Sequence, residues 1–94
     1  MSWIFYTDAV VTYLRHLNPQ TKPHLKSLVE ELSENPLVGK PLQREFMGYR
    51  VLRYKKYRVI YEYHHASNTV DIVFAGLRKD VYQLFAELLR RRKT

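Results

Sequence analysis

Residues 48–82, GYRVLRYKKYRVIYEYHHASNTVDIVFAGLRKDVY, decide the fold. Tyr, Val and Ile are concentrated in this stretch, and these residues suit a pleated, half-buried surface. Three antiparallel strands feeding a helix are predicted. Tyr54-Lys55-Lys56-Tyr57 marks the first hairpin turn, and the polar Ala66-Ser67-Asn68-Thr69 marks the second. The third strand stops at Gly76, and Asp80 opens the helix. A loop of two residues (Lys55, Lys56) or of four (Tyr54 to Tyr57) gives the same pairing, with Arg53 opposite Arg58. Opposed residues share a face, and like charges placed so cost about a few tenths of a kcal/mol. The two guanidiniums splay into water, or Glu62 or Glu45 neutralises one, or an anion binds between them. The planar fork of arginine matches phosphate, which favours the anion.

Outward from the hairpin, Tyr57, Val59, Tyr61 and Tyr63 fall on one face of the second strand, and Arg58, Ile60, Glu62 and His64 on the other. In the third strand Val70, Ile72 and Phe74 alternate with Asp71, Val73 and Ala75. One face is thus strongly apolar, and the mixed face carries Arg53 and Arg58. In the helix that follows, Val81, Leu84, Phe85 and Leu88 form the predicted buried stripe, with Tyr82 off it and Asp80 and Gln83 as a capping-box-like pair. The Arg90-Arg91-Arg92-Lys93 run suits a helix C-terminus or a solvated tail.

Upstream, Trp3 to Thr7 reads as a first strand, placed inside the sheet so that aromatic surface is buried on both faces. Thr7 or Asp8 caps a helix with the stripe Val10, Tyr13, Leu14 and Leu17, ended by Asn18-Pro19. Thr21 or Gln20 starts a second, with Leu25, Leu28, Val29 and Leu32 at the same spacing and Asn35-Pro36 as its stop. The short connection makes the pair an antiparallel hairpin, packed on the apolar sheet face. Leu37 to Met47 contains Pro, Gly and alternating charge, and reads as a loop. The expected fold is α+β in the order β-α-α-β-β-β-α, a single domain over residues 1–94.

The chain has 94 residues, no cysteine and 46% apolar residues, which excludes disulfides, thiolate metal sites and a disordered default. It carries a net charge of +7. The basic residues gather from Lys40 to Arg58 and from Arg78 to Lys93, and the acids at Glu30, Glu31 and Glu34. One basic face and an anionic partner follow. No apolar run approaches the roughly 20 residues of a membrane span, and the N-terminus lacks a basic signal-peptide region. A cytoplasmic protein with no membrane contact is expected.

No phosphate-binding Gly-rich loop, Ser/His/Asp arrangement or HExxH motif is present. His16 and His24 lie on polar helix faces. His64 and His65 are adjacent in a strand, so they point oppositely and cannot hold one metal together. No metal site and no cofactor are expected. His64 shares the face of Arg58 and is either a strand-end histidine or a substrate contact.

The element order, GYRVLRYKKYRVIYEY and then VDIVFAGLRKDVY together resemble the RelE/ParE superfamily of toxins from type II toxin–antitoxin pairs, over nearly the whole chain. RelE-like members cleave messenger RNA in the ribosomal A site without a metal. The resemblance puts their transition-state arginines at Arg58 and Arg78 and their catalytic tyrosine at Tyr82. It implies attack of the ribose 2′-hydroxyl on phosphorus, with fixed cations for the developing charge and Tyr82 as base. Arg50, Arg53, Lys55 and Lys56 are the implied RNA-binding residues, although hairpin-tip lysines also serve against edge aggregation. Tyr82 also has the ordinary alternative of a helix-packing tyrosine. The best-known RelE toxins place two lysines on the first meander strand, where this chain has Arg50 and Arg53 on opposite faces. The implied partners are a cognate antitoxin protein, the ribosome with its mRNA, and operator DNA only through the antitoxin. A ParE-like inhibitor of DNA gyrase and a non-catalytic basic nucleic-acid-binding module are the alternatives.

Overall fold

The computed structural model describes residues 1–92 of the chain, so Lys93 of the terminal basic run lies outside the described residues. The elements are β1 (Trp3–Tyr6), α1 (Asp8–Arg15), α2 (Lys22–Glu30), β2 (Lys40–Pro41), β3 (Arg50–Tyr54), β4 (Tyr57–His64), β5 (Thr69–Leu77) and α3 (Val81–Arg92). Single 3-10 turns occupy Glu31–Ser33 and Arg44–Phe46. The α+β fold and the order of the main elements are those expected. Leu37 to Met47 is a correction: it holds the two-residue strand β2 and a 3-10 turn, elements too short to leave a periodicity. Among the described residues, no helix is long and apolar enough to cross a membrane.

The five strands form one sheet in the order β1-β5-β4-β3-β2. β1 runs parallel to β5, and the other neighbours are antiparallel. β1 is therefore an edge strand, not an interior one. Trp3 and Phe5 remain 71% and 56% exposed, and only Ile4 packs on the core, so the expected two-sided burial fails. An edge position leaves one flank of β1 without a neighbour to cover those rings.

Each sheet face has its own core. α1, α2 and the 3-10 turn after α2 pack on one face through Val10, Leu25, Val29 and Leu32, against Leu52, Val59, Tyr61, Val70 and Ile72. The Thr7 hydroxyl caps α1, accepting from Val10 N–H at 3.3 Å. α3 covers the other face, where Val81 and Phe85 close over Val51, Ile60 and Val73. Leu84 is 46% exposed, while Tyr82, Leu88 and Leu89 pack on this second core. The stripe read from sequence was thus rotated: Tyr82 belongs to it and Leu84 does not.

A bulge in β5 explains the remaining difference. Ile60 pairs with Phe74 but Tyr61 pairs with Ile72, so Val73 is an extra residue. Val73 and Phe74 both reach the α3 side, and Ala75 and Leu77 move to the helical-hairpin side. Strict alternation had placed Phe74 with Val70 and Ile72. The bulge also brings Gly76 opposite Arg58. A Cβ at Gly76 would lie 3.3 Å from Val81 Cγ2, so the missing side chain lets the first turn of α3 close on the strand.

Candidate active site

The β3–β4 hairpin closes through Lys55 and Lys56, with Tyr54 paired to Tyr57 and Arg53 to Arg58, as the sequence required. Lys55 adopts the left-handed region at φ 52. Arg58 is 5% exposed, and its Nη1 donates to the carbonyls of Lys55 and Tyr57, both at 2.8 Å. It therefore folds back on its own turn instead of splaying into water. The Arg78 N–H donates to the Lys56 carbonyl at 2.7 Å. One turn thus fixes both the Arg58 side chain and the Arg78 backbone.

Arg53, Arg58, Arg78 and Tyr82 line one cleft of ≈ 250 Å³, together with Lys40, Leu42 and Val51. The sheet register explains the convergence. Lys40 pairs with Val51 and Val51 with Ile60, on the α3 face, and Arg53 pairs with Arg58 two residues further along. Tyr82 enters from the first turn of α3, one turn after Arg78. No carboxylate is among the lining residues. Glu62 pairs with His64, and neither Glu62 nor Glu45 forms an ion pair with Arg53, Arg58 or Arg78 among the described residues. Four cations and a phenol line an acid-free cleft and offer the donor types that phosphate takes.

Tyr82 has two faces. Its ring lies 6.1 Å from that of Phe46, within an aromatic cluster centred on Phe85. It is only partly buried, and it also borders the cleft. Packing and access to the cleft are compatible for this side chain.

The other predicted RNA-binding residues stand elsewhere. Arg50 is on the opposite sheet face, where Nη1 donates to the carbonyls of Gly39 at 2.8 Å and Leu37 at 3.1 Å. Lys55 and Lys56 project from the hairpin tip, each over a flanking ring, Tyr54 at 5.5 Å and Tyr57 at 5.6 Å. Neither lines the arginine cleft; Lys56 borders a larger one of ≈ 750 Å³ between α1 and α3. His64 is at the far end of β4, bonded to Asp71 at 2.9 Å and Glu62 at 3.2 Å. It does not reach the cleft.

Lys40 was missed from sequence because it falls in the stretch read as loop. Its backbone is pinned by a buried latch. The Gly39 N–H donates to Tyr61 Oη at 2.8 Å, and the Tyr61 hydroxyl donates to the Pro36 carbonyl at 2.8 Å. Burial pushes the Tyr61 phenol up, opposed by the Gly39 hydrogen bond and by Arg50. A Cβ at Gly39 would lie 2.6 Å from the Tyr61 ring and hydroxyl, so only glycine fits there. Downstream, the Leu42 N–H donates to the Tyr49 carbonyl at 2.9 Å.

Comparison with known proteins places the fold. A chain of the RelBE2 toxin–antitoxin complex of Mycobacterium tuberculosis is 30% identical, with a TM-score of 0.73 over 82% of this chain and 98% of that one. The isolated E. coli RelE toxin shares the fold at 16% identity and a TM-score of 0.73, over 97% of this chain and 98% of that one. The YoeB/ParE toxin from Agrobacterium tumefaciens shares it at 13% identity and a TM-score of 0.69, over 80% of this chain and 96% of that one. No curated protein sequence matches. Residues 4–82 match the family model of the ParE toxin of the type II toxin–antitoxin system parDE, and the chain therefore belongs to that family of toxins, on the fold it shares with RelE.

Proposed function

We propose that this toxin is a ribosome-dependent endoribonuclease that cleaves mRNA in the A site and is neutralised by a cognate antitoxin. The observation that carries the reading is the acid-free cleft holding Arg53, Arg58, Arg78 and Tyr82. The 2′-oxygen of the nucleotide attacks the adjacent phosphorus, and the bond to the 5′-oxygen breaks. Arg58 and Arg78 stabilise the charge that develops on the phosphoryl oxygens, being cationic at any working pH. Tyr82 accepts the 2′-proton, and Arg53 holds the backbone phosphate. No lining residue is a carboxylate or imidazole, the ligands a catalytic metal would need here, so the reaction proceeds without one. Apolar side chains of Val10, Tyr13, Leu17 and Leu84 border the larger cleft, which suits the apolar face of an amphipathic antitoxin segment.

The family match favours a second reading, inhibition of DNA gyrase. Primer extension on translated message after brief induction separates the two. Cuts inside codons support the nuclease, while intact message with damaged or relaxed DNA supports the gyrase inhibitor. In single-turnover assays at saturating ribosomes, Arg78→Ala should lose about 10²–10³ in rate, as for one oxyanion donor. Arg58→Ala should lose at least as much, although Arg58 also ties the turn carbonyls. Lys55→Ala should be rescued by lower salt or higher concentration. Cleavage at the wild-type rate by Tyr82→Phe would make the tyrosine a stacking platform.

A further inference from the structure

The geometry points to Lys40 as a catalytic residue of the cleft, the proton donor to the departing 5′-oxygen; this rests on the nuclease reading. Expulsion of an alkoxide needs two proton transfers, one from the attacking 2′-hydroxyl and one to the 5′-oxygen. Of the seven residues lining the cleft, Leu42 and Val51 carry no proton to give, and Arg53, Arg58 and Arg78 keep theirs. Only Tyr82 and Lys40 exchange protons. They come from separate walls, Tyr82 from α3 and Lys40 from the edge strand β2. With Tyr82 as base, Lys40 is the one group left to serve as acid.

The balance is complete. The 2′-oxygen gives its proton to the phenolate form of Tyr82 and forms a bond to phosphorus. The P–O5′ bond breaks, and its electron pair takes a proton from the Lys40 ammonium. The products are a 2′,3′-cyclic phosphate and a 5′-hydroxyl. Proton exchange with water restores Lys40 and Tyr82.

Lys40 is an exposed residue of the two-residue edge strand β2, and it lines the cleft. It pairs with Val51, one row from the Arg53–Arg58 pair and on the same face. Its backbone is held on one side by the Tyr61 and Arg50 bonds to Gly39, and on the other by the Leu42–Tyr49 bond. None of the ion pairs found among the described residues involves it. A two-residue strand has little pairing of its own, so this bracing fixes the backbone from which Lys40 reaches the cleft.

The test is single-turnover cleavage on saturating programmed ribosomes by the full chain, its Lys40→Ala and Lys40→Arg variants, and Lys40→Ala with added methylammonium. Lys40→Ala is expected to lose at least about 10²-fold, within the range for general acid–base catalysis. Lys40→Arg is expected to stay as slow, because guanidinium keeps its proton. Methylammonium should restore part of the Lys40→Ala rate in proportion to its concentration, which a merely structural lysine would not allow. Cleavage by Lys40→Ala within a few-fold of wild type overturns the assignment while leaving the nuclease reading intact. So does full activity of Lys40→Arg, or loss without amine rescue. If the wild-type protein cuts no message, the nuclease reading fails and takes this inference with it.

Discussion

Replacing Tyr61 with Phe removes one oxygen from the centre of the molecule. Tyr61 is 0% exposed, and that oxygen bridges β4 to residues 36–39 by hydrogen bonds with the Gly39 N–H and the Pro36 carbonyl. The substitution leaves the Gly39 N–H in a buried site without an acceptor, which costs about 1–3 kcal/mol. The Pro36 carbonyl is partly open, so its loss is the ordinary net value of about 0.5–1.5 kcal/mol. Together the loss is about 1.5–4.5 kcal/mol, a large share of the roughly 5–15 kcal/mol typical of a domain. Urea unfolding of both proteins measures it, with an unchanged m-value expected. Amide hydrogen exchange supplies the local readout: Gly39 and its neighbours in β2 should exchange faster than the β4–β5 core. Gly39→Ala strikes the same contact from the other side, since its Cβ would meet the Tyr61 ring at 2.6 Å. The two variants should therefore be non-additive. A stability loss below about 0.5 kcal/mol in Tyr61→Phe, with Gly39 exchange unchanged, would refute the latch.

Three further outcomes are expected. The phenols of Tyr6, Tyr13, Tyr49 and Tyr61 are all raised above the ordinary tyrosine value of 10.0, chiefly by burial. The folded state then holds their protons more tightly than the unfolded chain. Their contribution is fully present below pH 10.0 and is lost as pH rises through the higher folded values, and urea midpoints across that range should fall less steeply in Tyr61→Phe. Arg53→Gln removes a like-charge cross-strand pair and should leave the protein as stable or more stable by about a few tenths of a kcal/mol, while RNA binding weakens with a shallower salt slope. Deletion of Val73 removes the β5 bulge while leaving Phe74 opposite Ile60 and Ala75 opposite Val59 in regular alternation, so the shortened chain should keep a cooperative urea transition at a lower midpoint, having lost the Val73 contacts on the α3 side.

Local rules were enough for much of this protein. Strand alternation, two hairpin turns and the i, i+3, i+4 stripes of α1 and α2 named the main elements and their order, because each signal lies within a few neighbouring residues. The Arg53–Arg58 register followed from turn symmetry alone. Other features depended on contacts between residues distant along the chain. The bulge at Val73 has no composition signal; two packed faces decide it, and it exchanges Phe74 for Ala75. Tyr82 rather than Leu84 turns inward because α3 docks on Phe46 and the second core, an angle its own periodicity leaves free. β2 exists only because a buried tyrosine hydroxyl and Arg50 hold a Gly-Pro stretch against β3, and that is why Lys40 reaches a cleft its sequence neighbours do not suggest.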